Sequence, residues 1–176
     1  MEWKLTDTGF IRPGSKSDDK RCWKIWRGLS DALYPIIDDT RWADEMAAVV
    51  ETPFGRGIPQ ANGRGMNTAV TGPVYGMAVG AALVGAVELF GDNVLCVKSN
   101  EWTKNLKLPK ADAKKLNRVR AAQLYWNTDR EMDGDIADAA LLAFWATSRV
   151  DPEVKLIVGI DPSMTKTGWA VARRVS

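Results

Sequence analysis

Four acidic residues stand where secondary structure would present a carboxylate rather than hide it. Asp161 follows the apolar run LIVGI, and Glu51 follows the apolar run AAVV. Asp135 and Asp138 lie three apart at the start of an Ala-rich helical stretch, so they share one helix face. In an open α/β sheet, strand carboxyl ends and helix amino termini can line one crevice, where ligands usually bind. Carboxylates gathered there repel one another: at an effective dielectric of about 20, two unit charges about 4 Å apart cost on the order of 4 kcal/mol. Such a group asks for a cation, and oxygen donors without His or Cys suit Mg²⁺ or Mn²⁺. Two such ions roughly 4 Å apart can activate a water and stabilise the leaving oxygen of a phosphodiester. Each acid also has an ordinary structural role open to it. Asp161 before Pro162 can start a turn, Glu51 can end a strand at the surface, and Asp133 and Asp135 can cap a helix and complement its dipole. Spacing alone leaves the reaction open.

The composition narrows the chemistry. The chain of 176 residues contains no histidine, which removes the commonest general base and zinc ligand. Cys22 and Cys96 form no CxxC pair and read as two buried free thiols of a reducing cytosol. With a hydrophobic content of 45%, a charged content of 26% and a formal net charge of +2, the chain reads as one ordinary globular domain. Attraction to nucleic acid must then come from clustered Lys and Arg rather than from overall charge. No basic and apolar leader opens the chain, and the expected compartment is the cytoplasm of a bacterial or phage-infected cell.

The elements that must position the acids follow from periodicity. Residues 2–12 alternate as a strand, and PGSKSDDK supplies a turn. Trp23, Trp26, Leu29, Leu33 and Ile37 recur at helical spacing, with Pro35 expected to kink or shorten the last turn. Residues 46–55 read as a buried strand with Glu51 at its carboxyl end, and 55–65 as a loop carrying Arg56 and Arg64. The uncharged stretch 69–87 opens a long helix with Gly72, Gly76 and Gly80 at four-residue spacing, suited to close packing on a sheet or a partner subunit. Its glycines and Pro73 favour a buried helix over a membrane span. A strand at 93–99 precedes a basic segment with Lys104, Lys107, Lys110, Lys114, Lys115, Arg118 and Arg120, helical in its latter part. An acidic helix at 133–150 and a closing strand pair at 155–174 complete the alternation that favours α/β.

IVGIDPSMTKTGWAV, VVETPF and DIADAALLA together resemble RuvC-type Holliday-junction resolvases. The first is similar to that family's opening strand hairpin, the second to its Glu-ended strand with an aromatic three residues on, the third to its acidic helix start. The resemblance covers nearly the whole chain if one change of order is accepted: the hairpin that leads the family stands here at the carboxyl-terminal end. It implies a circularly permuted ribonuclease-H-like fold, with a mixed five-stranded sheet flanked by helices. It also implies a homodimer through the Gly-rich helix 67–90, and paired nicks, dependent on two Mg²⁺ or Mn²⁺ ions, in four-way DNA junctions. Asp161, Glu51, Asp135 and Asp138 match the family's catalytic, metal-binding acids. Phe54 matches the aromatic that probes the branch point. Arg56, Arg64, Lys104, Lys107, Lys110, Lys114 and Lys115 are the expected DNA contacts, though a charge run is also an ordinary solvated helix face. Trp102, Tyr125 and Trp126 flank the lysines, and charges beside aromatics suit DNA. Ser163 stands where Gly is common in the family.

Three other readings compete. A related nuclease of the same superfamily would act on RNA–DNA hybrids or branched DNA generally. A non-catalytic protein would bind junctions without turnover. GIDPSMTKTG also resembles the phosphate loop of sugar-kinase and actin-like ATPases, but those need two such domains and further motifs that this chain lacks.

Overall fold

LIVGI carries no polar side chain, as expected of a strand covered on both faces, and it forms the middle of the sheet. The structure, a computed structural model, describes residues 2–14, 17–37, 45–52, 68–108 and 115–175, with backbone alone at 68–74 and 115–116. The elements are β1 (Glu2–Ile11), α1 (Asp18–Ile37), β2 (Met46–Thr52), α2 (Thr68–Phe90), β3 (Val94–Lys98), α3 (Ser99–Asn105), α4 (Lys115–Trp126), α5 (Gly134–Ala146), β4 (Leu156–Asp161) and β5 (Thr167–Val175).

The described strands form one mixed sheet in the order β1-β5-β4-β2-β3. β4 and β5 are an antiparallel pair, β1 adds antiparallel to β5, and β2 runs parallel to both β4 and β3. Helices cover both faces. Ala47, Val49, Ile157, Ala170 and Ala172 point to the face under α5, where Leu141 and Leu142 meet them. Their alternates Ala48, Val50, Val158, Ile160 and Val171 point to the other face, against Ile25, Leu29 and Leu33 of α1 and Ala82, Ala86 and Phe90 of α2. Fully burying one such aliphatic side chain contributes about 1.5–3 kcal/mol, so this alternation fixes which face each strand residue serves.

Some boundaries differ from those expected. α1 begins at Asp18 and runs through Pro35 to Ile37. Burial of Ile37 and a hydrogen bond from Arg173 Nη2 to the Ile36 carbonyl, 2.7 Å, hold the last turn that Pro35 would weaken. α5 ends at Ala146 rather than Val150. Cys96 is exposed and Cys22 partly so, because β3 is an edge strand and Cys22 lies toward the rim of α1; neither is a buried thiol. Among the described residues, no helix is long and apolar enough to cross a membrane.

Candidate active site

β2 and β4 are parallel, so their carboxyl ends lie at the same edge of the sheet. Val50 pairs with Ile160, which brings Glu51 and Asp161 to neighbouring positions one step further on. Strand side chains alternate faces. Val49 and Ile157 point under α5, and therefore so do Glu51 and Asp161.

α5 delivers the other two acids. Asp133 caps the helix, its Oδ1 accepting from the backbone N–H of Asp135 at 3.0 Å and of Ile136 at 3.1 Å. Such a cap is worth about 1 kcal/mol, and the structural role open to Asp133 in the sequence is the one it takes. Two glycines let this helix approach the strands. A Cβ on Gly159 would lie 2.0 Å from the carbonyl oxygen of Ala139, and one on Gly168 would lie 2.3 Å from that of Asp135. Gly168 is the strand partner of Asp161, so the first turn of α5 rests directly beside the end of β4. Asp135 and Asp138, one helical turn apart, both belong to this edge.

The electrostatics agree with that placement. Burial, foremost, pushes the Glu51 carboxyl above its ordinary 4.5; the Trp102 hydrogen bond opposes this, the Asp138 charge adds to it, and Arg118 opposes it again. Tyr75 of α2 feels the same carboxylates: burial, then the charges of Glu51 and Asp161, hold its hydroxyl protonated well above the usual phenol range.

Positive side chains already stand among the acids. Lys166, from the turn between β4 and β5, forms an ion pair with Asp133 and lies 3.9 Å from Asp135; its Nζ also sits 4.4 Å from the centre of the Phe10 ring. Arg118 Nη1 lies 3.3 Å from Asp138 Oδ1. Trp102 Nε1 donates to Glu51 Oε2 at 2.7 Å. Among the described residues, no group of three or more Asp, Glu, Cys or His side chains is arranged so that it could hold a metal ion. Glu51 and Asp161 thus share an edge and a face, with Glu51, Asp135 and Asp138 facing Trp102, Lys166 and Arg118.

Of the residues expected to meet DNA, Lys104 and Lys107 are exposed at and just beyond α3. Lys115 opens α4, its backbone alone being described. Phe54, Arg56, Arg64, Lys110 and Lys114 lie outside the described residues. Periodicity did not reveal Trp102, Lys166 or Tyr75 as neighbours of the acids, and Arg118 reads in sequence as one more base in a charge run. One signal was available: Ser99 and Trp102 are three apart, so a helix after the fifth predicted element would aim both at the same side. Compared with known proteins, the chain matches no family model and no curated protein.

Proposed function

We propose that this chain is a divalent-metal-dependent endonuclease of the RuvC type that cleaves four-way DNA junctions, on a circularly permuted ribonuclease-H-like fold. The observation that carries the reading is the meeting of two parallel strand ends, bearing Glu51 and Asp161, with the first turn of α5, bearing Asp135 and Asp138. The permutation is supported by the sheet order: β4 and β5, a hairpin that would lead the family's chain, occupy the middle of the sheet, and β1 pairs with β5 as a third strand would.

The donor set fits a hard divalent cation, being all carboxylate oxygen. Lys166 beside Asp135 and Arg118 beside Asp138 mark a place where negative charge requires compensation. Glu51, Asp135, Asp138 and Asp161 would hold the ions, which when bound supply the charge that activates water and stabilises a leaving oxygen. Exposed Lys104 and Lys107 would neutralise phosphates, a contribution that weakens with added salt. The second copy would dock on α2, where a Cβ on Gly76 or Gly80 meets nothing within 4 Å and Met77, Val84 and Val87 are exposed.

Asp161→Asn tests the reading. It is expected to abolish Mg²⁺-dependent cleavage of a synthetic four-way junction while junction binding persists. Retained cleavage would sink the metal-site assignment. Wild-type binding without cleavage would select a non-catalytic junction protein, and preferred cutting of RNA–DNA hybrids would move the substrate within the superfamily.

A further inference from the structure

Trp102 is 1% exposed, and a buried indole N–H needs an acceptor. Its acceptor is Glu51 Oε2 at 2.7 Å. Over the Trp102 ring lies Arg118, its guanidinium carbon 5.0 Å from the ring centre, and Arg118 in turn holds Asp138 at 3.3 Å. The Arg118 side chain is itself 14% exposed. A continuous run of contacts therefore leads from Glu51 through Trp102 and Arg118 to Asp138, joining two of the four acids by way of α3 and α4.

We propose that Trp102 is a positioning residue for the carboxylate site: its indole N–H fixes Glu51, and Arg118 on its ring face ties Glu51 to Asp138. The inference rests on the metal-site reading above. A Glu side chain at a strand end has several rotatable bonds, and a desolvated carboxylate must find a donor. A rigid buried ring supplies that donor in one orientation, which keeps Glu51 aimed along the edge it shares with Asp161. Arg118 does the same for Asp138 from α4. α3 also carries Lys104, so one short helix holds a proposed phosphate contact and the clamp on Glu51.

Trp102→Phe keeps an aromatic ring in the core and removes the donor. Calorimetric titration of Mn²⁺ into the metal-free full chain should then show binding about 10- to 100-fold weaker, the usual cost of losing an outer hydrogen bond to a ligand. Junction binding without metal should be unchanged. A merely structural role would lower the melting temperature and leave the Mn²⁺ affinity of the folded protein as it was, and that result overturns the proposal. Glu51→Gln is the control that separates the two ideas. If it binds Mn²⁺ like the wild type, the metal-site reading fails. If it loses Mn²⁺ while Trp102→Phe does not, the site stands and the role of Trp102 falls. Should Trp102→Phe not fold, the Trp102 indole N–H resonance in wild type and in Glu51→Gln replaces it. A shift on loss of the carboxylate supports the contact, and an unmoved resonance overturns it.

Discussion

On one face of the sheet α5 lies backbone to backbone on the strands, whereas on the other α1 and α2 are held off by a layer of aliphatic side chains. Ala139 and Asp135 rest their carbonyl oxygens over Gly159 and Gly168. Opposite them, Ile25, Leu29, Leu33 and Phe90 fill the space above Val50, Val158, Ile160 and Val171. Aliphatic layers absorb small changes by repacking. Backbone resting on glycine has no side chain to yield, so the start of α5 is tied to the ends of β4 and β5. The face that cannot give is the one toward which Glu51 and Asp161 point, and on the helices of the other face Val84 and Val87 of α2 stay exposed.

The most severe test of this contrast is Gly159→Ala. The added methyl would meet the Ala139 carbonyl at 2.0 Å, so destabilisation of about 3 kcal/mol or more is expected, a fall of roughly 6–12 °C in melting temperature for a chain of this size. An unchanged melting curve would show that α5 can lift off the sheet, and the contrast between the faces would disappear.

A smaller effect is expected of Glu51→Gln in metal-free protein. Burial raises the folded pKa of Glu51 above the 4.5 of the unfolded chain. Its charged form therefore costs stability above the folded pKa, and that cost is relieved as the pH falls toward 4.5. The variant should melt higher than wild type at neutral pH, with the gap closing as the pH approaches 4.5. A gap that stays constant with pH would mean that the α5 face does not desolvate this carboxylate.

Smallest in stability is Val84→Lys on α2. Val84 is 60% exposed, so the fold should change by no more than about 0.5 kcal/mol. Light scattering should nevertheless report loss of dimer if this face is the meeting surface. A dimer that survives the added charge places association elsewhere.

Most of the element order was legible in the sequence, because LIVGI, AAVV and the helical spacing of Leu29, Leu33 and Ile37 are strong local signals. α3 was not: SNEWTKN is short and has a single large apolar residue, so no periodicity announces it. The four acids stood out through their places at strand ends and a helix start. Their partners did not, since Lys166, Arg118, Trp102 and Tyr75 approach from turns and helices that only tertiary folding brings to this edge. A charge run such as the one around Arg118 reads as solvated surface until the strand order is known.

Chain order has one more outcome, concerning how the sheet assembles. Glu2 pairs with Val175 and Ile11 with Thr167, and β4 stands between β2 and β5. Among the described strands, β1 has no neighbour and β2 has only β3 until residues 156–175 are in place. Local helices can form early, but joining the two halves of the sheet requires closing loops that span most of the sequence, at an entropic cost met before any contact repays it. Folding should accordingly be slow for a protein of this helical content, with the β4–β5 hairpin acting as the wedge that commits both layers at once.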